Sequence, residues 1–162
     1  MRTRSLSPAD RAPLEALLGA TGAFTAEEVE VALELIDLGL GDPPSRDYLF
    51  VVAEDDGRVT GYACWGPVPL TEGVFDLYWI AVDPGAQKGG VGRRLMDEVE
   101  AAVRETGGRM VLVETAGKPS YAPTRAFYER IGYREVARIP DFYRRGDDKV
   151  IYGKVVEAGD RP

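Results

Sequence analysis

A chain of 162 residues with 44% apolar and 29% charged side chains is long enough for one domain with a proper core, and short for two. Its net charge of −7, from 20 basic and 27 acidic residues, argues against a nucleic-acid partner, whose phosphates need a basic face. The absence of histidine removes Ser-His-Asp and Cys-His chemistry and the commonest transition-metal ligand, and a single cysteine, Cys64, removes an internal disulfide and any CxxC site.

No metal site is therefore expected, and proton transfer falls to carboxylates, Tyr, Lys, substrate or water. No apolar run approaches a membrane span, and the stretch after Arg2 and Arg4 is interrupted by Asp10, Arg11 and Glu15. The expectation is one cytoplasmic domain over residues 1–162, with no secretory leader and no membrane partner.

In chain order, "SLSPADRAPLEALLGATG" predicts a helix. Ser7 is its N-cap, Pro8 suits the first turn, Leu14, Leu17 and Leu18 share a face, and Gly19 and Gly22 end it. "TAEEVEVALELIDLGLG" predicts a second, with Thr25 and Glu28 at capping-box spacing and an apolar stripe of Val29, Leu33, Ile36 and Leu40. Gly39 or Gly41 stops it before "GDPPS".

Two β-rich runs around Asp56-Gly57 predict a hairpin. "GVFDLYWIAV" predicts a longer strand closed by Asp83-Pro84, and "VGRRLMDEVEAAVRETGG" a helix facing inward through Val91, Leu95, Val99 and Val103. Then come an apolar strand, "RMVLVETA", a helix in "YAPTRAFYERIGY" ending at Gly132, and two strands around "RRGDD". Strand–helix–strand alternation predicts one parallel crossover among otherwise antiparallel strands, with helices on both faces of the sheet.

The stretch between the long strand and the third helix, "QKGGVG", carries three glycines. Glycine-rich strand-to-helix turns suit phosphates, because a helix N-terminus offers unpaired N–H groups and the positive end of its dipole. A Walker A loop is excluded by Val91 and Gly92 standing where Lys and Ser/Thr belong. A dinucleotide loop fits poorly, because Leu95 is too large for the close helix–strand contact and the loop sits mid-chain.

Gln87-Lys88-Gly89-Gly90-Val91-Gly92 instead resembles the Q/R-x-x-G-x-G/A pattern of the GNAT superfamily, the acetyl-CoA-dependent N-acetyltransferases. "LYWIAVDPGAQKGGVGRRLMDEVE" is similar to that family's strand–V-x-P–loop–helix segment, and "RAFYERIGY" to its second signature. The resemblance covers roughly Tyr48 to Val155. It implies a mixed, mostly antiparallel sheet of six to seven strands, splayed between the fourth and fifth and flanked by about four helices.

It also implies roles. Backbone amides from about Lys88 to Arg93 would take the pyrophosphate, with Gln87 opening the loop and Lys88, Arg93 and Arg94 adding charge. Pantetheine would lie along Ile80, Ala81 and Val82 like an added strand, and the Ile80 N–H would face the oxyanion. Thr124 and Tyr128 complete the donor side, and Tyr128 stands at the family's thiolate-protonating position. Tyr121 stands where an Asn is common, so a ring takes the place of an amide.

The amine needs a base or an anionic contact, and Asp76 or Glu114 could supply either. An acid inside an apolar strand is costly unless used or paired. The acceptor pocket would draw on Phe24, Trp65, Asp76, Tyr78, Glu114, Thr115 and Tyr143, with Phe142 beside it. Cys64 reads as packing. The expected acceptor is a primary amine of a small molecule such as an amino acid. A peptide acceptor or a non-catalytic acyl-CoA-binding module is the alternative, and the family's habits leave a homodimer open.

Overall fold

The computed structural model describes residues 1–156. Along the chain run β1 (Arg2–Arg4), α1 (Arg11–Thr21), α2 (Ala26–Gly39), β2 (Leu49–Asp55), β3 (Arg58–Pro67), β4 (Val74–Val82), α3 (Val91–Glu105), β5 (Met110–Ala116), α4 (Ala122–Arg130), β6 (Arg134–Arg144) and β7 (Asp147–Val155). The seven strands form one mixed sheet in the order β1-β2-β3-β4-β5-β7-β6. The β4–β5 pair is parallel, and β1–β2, β2–β3, β5–β7 and β6–β7 are antiparallel. The β4–β5 ladder runs from Val74 opposite Met110 to Leu77 opposite Val113 and stops there, although β4 continues to Val82 and β5 to Ala116. That is the splay expected of these two strands.

The chain forms two compact units, and the first comprises Met1–Gly66 and Tyr78–Ala102. Its core lies where Leu14, Leu17 and Leu18 of α1 and Ala32, Leu33 and Ile36 of α2 cover Val52, Tyr62, Cys64 and Ala81 of the sheet. Burying each Leu, Ile or Val side chain among them contributes about 1.5–3 kcal/mol. The opposite face of β3 is covered by α3. There a side chain at Gly61 would meet Val91 Cγ1 at 3.1 Å and Leu95 Cδ1 at 3.2 Å.

The capping box of α2 is present, with the Thr25 N–H donating to Glu28 (2.7 Å) and the Glu28 N–H to Thr25 Oγ1 (3.2 Å). Asp56 and Gly57 both have positive φ, the conformation of a tight two-residue hairpin turn. Two expectations need correction. Gly19 does not end α1 but lies inside it, and the helix ends at Gly22 with φ +62. Buried leucines outweigh the roughly 1 kcal/mol a mid-helix glycine costs.

The N-terminal residues also form β1, which the sequence reading did not include. Thr3 lies opposite Ala53, and Arg4 bridges Glu54 and both carboxylate oxygens of Asp10, the latter at 2.7 Å each.

The second unit takes Pro67–Leu77 and, among the described residues, 103–156. Its strands have two unlike faces. Val111, Val113 and Thr115 of β5 and Val150 and Tyr152 of β7 are buried on the face that α4 covers, where Tyr128 packs on Tyr152 with ring centroids 6.1 Å apart. Strand alternation puts Asp76, Leu112, Glu114, Ile151 and Lys149 on the other face. α4 is followed by Gly132 at φ +93. β6 is exposed along its whole length, and its ladder with β7 is interrupted between Glu135 and Ala137 and between Ile139 and Arg144.

Candidate active site

The glycine loop follows a turn tied down by Asp83. The Asp83 N–H donates to the Thr60 carbonyl (2.9 Å), and its carboxylate takes the Gly85 N–H (2.8 Å) and the Arg58 guanidinium (2.7 Å). Gln87–Gly89 then make one tight turn, and Gly90 adopts φ +74 to release the chain into α3. The first helical bond of α3 runs from the Arg94 N–H to the Gly90 carbonyl (3.0 Å), so the amides of Val91, Gly92 and Arg93 have no acceptor within the helix.

The surface above Gly89 and Gly90 is open: a β-carbon there would meet nothing within 4 Å. Unpaired amides beneath an unobstructed approach suit a phosphate. Lys88 is exposed beside them. Arg93 and Arg94 face solvent and pair along the helix with Asp97 (3.7 Å) and Glu98 (2.6 Å).

Asp76 sits in β4 opposite Leu112, and Glu114 lies two residues further along β5 on the same face. Lys149 of β7 reaches back to Glu114 at 2.8 Å and lies over the Phe142 ring at 4.7 Å. Burial, then the Glu114 charge, push the Asp76 carboxyl above its ordinary range, while Lys149 pulls it back. The sequence analysis did not single out Lys149, and one lysine in an alternating strand gives no signal. Its role follows from β5 and β7 lying side by side.

On the opposite face of β5 and β7 stands Tyr128, 3% exposed, with Phe127, Tyr133 and Tyr152 around its ring. Its hydroxyl makes no hydrogen bond among the described residues, and burial pushes the phenol up, so it stays protonated at neutral pH. Thr124 is half-buried one helical turn before it. Thr115 is buried on the same face, its Oγ1 without a partner among the described residues.

The Lys118 ammonium lies 5.0 Å from the centre of the Tyr121 ring at the start of α4. Arg125, also missed from the sequence, donates to the carbonyls of Ala116 (2.7 Å) and Lys118 (3.0 Å) and so fixes the β5–α4 connection.

The remaining expected acceptor residues are dispersed. Phe24 packs edge-on against Trp79 (5.1 Å), and Tyr78 against Tyr48 (5.4 Å). Trp65 is on the other face of β3 from Tyr62 and Cys64, lining a cavity of about 240 Å³ with Thr3, Phe50, Glu98 and Ala102. The structure therefore separates Trp65 from Phe24. Tyr143 is half-exposed near the end of β6, its ring edge-on to Phe142 (5.0 Å). Ile80, Ala81 and Val82 form the part of β4 that runs past the end of the β5 ladder.

A family profile described as the acetyltransferase (GNAT) domain matches residues 46–135. Among curated proteins, the chain is 46% identical over 87 residues to a blasticidin-S acetyltransferase of Streptomyces morookaense, covering 53% of this chain and 56% of that one. It is 30% identical over 101 residues to an S-(2-succino)cysteine N-acetyltransferase of Bacillus subtilis (strain 168), covering 60% and 61%. The match thus spans about three fifths of the length of these relatives. A crystal structure of a GNAT-family protein from Desulfovibrio desulfuricans superposes with a TM-score of 0.92 at 48% identity, covering 96% of this chain and 98% of that one.

Proposed function

The chain belongs to the GNAT acetyltransferase family, and from that premise we propose that it transfers the acetyl group of acetyl-CoA directly to a primary amine of a small molecule. The observation that carries this reading is the opposed placement of an acid and a base. Asp76 and Glu114 occupy one face of the β4–β5–β7 strands, and Tyr128 occupies the other. With both a proton acceptor and a proton donor on its own strands and helix, the chain needs no covalent enzyme intermediate for the transfer.

The acceptor arrives as an ammonium. It gives one proton to Asp76, directly or through water, and the freed lone pair forms the new C–N bond. Cleavage of the C–S bond leaves a thiolate, which takes its proton from Tyr128. The nitrogen's surplus proton leaves to solvent, and Tyr128 is recharged from water. The donor's pyrophosphate is held by the amides of Val91, Gly92 and Arg93, with Gln87, Lys88, Gly89 and Gly90 shaping the loop around it. Its pantetheine arm runs along Ile80, Ala81 and Val82, and the Ile80 N–H faces the oxyanion. Tyr121 and Thr124 contribute to the donor side.

The small-molecule acceptor is supported by the relatives, which are named for blasticidin-S and for S-(2-succino)cysteine. Two carboxylates beside the apolar Leu112, Ile151 and Phe142 suit an amine carried on a partly apolar body. Thiol release from acetyl-CoA across amino acids of both hands, polyamines, amine antibiotics and peptides tests the proposal. Turnover confined to peptides overturns the acceptor class. Binding of acetyl-CoA with no turnover on any amine overturns the catalytic reading in favour of a binding module.

A further inference from the structure

We propose that Lys149 is a positioning residue for acetyl transfer, its ammonium fixed against Glu114 so that Asp76 meets the acceptor amine as a carboxylate. This rests on the reading of Asp76 as the group that takes the amine proton.

The geometry is a three-strand relay. Asp76 lies on β4 opposite Leu112, Glu114 is two residues further on β5, and Lys149 is on β7 opposite Ala116. All three are on the face that α4 does not cover. Lys149 is held from two sides, by Glu114 at 2.8 Å and by the face of the Phe142 ring at 4.7 Å, and its side chain is only 16% exposed. A lysine so placed is not a solvated surface charge.

The charged groups acting on Asp76 are Glu114 from β5 and Lys149 from β7, and β4 itself carries no other charge. β6 brings the Phe142 ring to the Lys149 ammonium.

Two carboxylates on one face repel, and without a cation beside them the half-buried Asp76 carboxyl would be harder to ionise. A protonated Asp76 cannot accept another. Lys149 neutralises Glu114 and attracts Asp76, so both effects favour the ionised form. Glu114, half-exposed, keeps its second oxygen available to orient an incoming ammonium.

The two neighbours therefore act in opposite directions on one group. Replacing Lys149 by Met should make Asp76 harder to ionise, and Lys149→Arg should restore it. Glu114→Gln removes the repulsion and should make Asp76 easier to ionise.

Carbon-13 NMR of the full chain, labelled at the aspartate carboxyls and assigned with Asp76→Asn, reads this without any acceptor. The Asp76 midpoint should rise in Lys149→Met by about half a pH unit or more, roughly threefold in the protonated-to-ionised ratio. It should return in Lys149→Arg and fall in Glu114→Gln. Coincident midpoints in wild type and in a folded Lys149→Met, or equal and parallel shifts in all three variants, overturn the proposal.

The pH profile of kcat/KM, measured with the amine of highest turnover in the panel, should show its acid limb moving with the NMR midpoint. If the NMR shifts appear but Asp76→Asn retains wild-type turnover and acid limb, the base reading fails and Lys149 has no part in transfer. If Asp76→Asn is inactive while Lys149→Met leaves the midpoint unmoved, the base reading stands and only the role of Lys149 is overturned.

Discussion

Gly61 should be the least replaceable glycine near the donor loop. Its ideal β-carbon would lie 2.8 Å from the Ala81 carbonyl oxygen, 3.1 Å from Val91 Cγ1 and 3.2 Å from Leu95 Cδ1. Close C–H···O contacts sit at about 3.3 Å, so the first overlap is about half an ångström, against backbone that cannot rotate away. The other two also lie inside the roughly 3.5–4.0 Å optimum for carbon pairs.

Overpacking of this kind costs about 2–3 kcal/mol, offset by about 0.4–1 kcal/mol from the stiffer unfolded chain. Gly61→Ala should therefore lose about 1–2.5 kcal/mol in urea denaturation, or roughly 2–10 °C in Tm for a chain of this size. Gly89→Ala is the contrast. It meets open space and should keep wild-type stability, yet bind acetyl-CoA more weakly because the methyl stands where a phosphate approaches. Gly90→Ala, forced into φ +74, should lose about 1 kcal/mol. If Gly61→Ala is as stable as wild type, or Gly89→Ala loses as much as Gly61→Ala, the packing argument is wrong.

Tyr128→Phe keeps the buried ring and removes a hydroxyl with no hydrogen bond among the described residues, so stability should change by less than about 0.5 kcal/mol. Turnover should drop by about a hundredfold or more at unchanged acetyl-CoA affinity, and turnover within a few-fold of wild type by stopped thiol-release assay would refute the acid role. Arg4→Met strips the guanidinium from Asp10, 2% exposed, and from Glu54, and should cost about 2–3 kcal/mol after allowance for the partly exposed Arg4. Arg4 holds Asp10 below its ordinary value, so its contribution is complete above about pH 4 and fades as pH falls through the depressed value. Urea denaturation at pH 7 and pH 3 should therefore show a large difference between the two proteins at pH 7 and a smaller one at pH 3.

Much of this was readable because local chemistry and tertiary packing agree. The α3 stripe of Val91, Leu95, Val99 and Val103 is buried throughout, and the Asp56-Gly57 turn forms as its residue types require. The failures have physical causes. β1 is three residues long and two of them are arginines, so nothing in its own sequence favours a strand. It exists because Glu54, Asp55 and Asp10 hold Arg2, the amino terminus and Arg4.

Gly19 misled because propensity acts locally while three leucines bury the helix around it. Asp76 and Glu114 could be named from their odd place in apolar strands, but Lys149 could not. Its meaning depends on β7 inserting between β5 and β6, an order that sequence proximity does not suggest. Trp65 was named for its residue type, but strand parity sets the face it lines, opposite Tyr62 and Cys64.

The outer strand β6 has a bearing on how this protein behaves at high concentration. A bare strand eleven residues long is a template on which other chains can add. This one is spoiled in the middle: Pro140 offers no N–H to either side, Asp141 turns the chain at φ +54, and Arg134, Glu135, Arg138 and Arg144 line the rest. A neighbour could register with only a few residues before the ladder broke. The kink that interrupts β6 therefore also acts as a solubility device, and replacing Pro140 and Asp141 with a β-branched pair would convert a self-limiting edge into an aggregation seed.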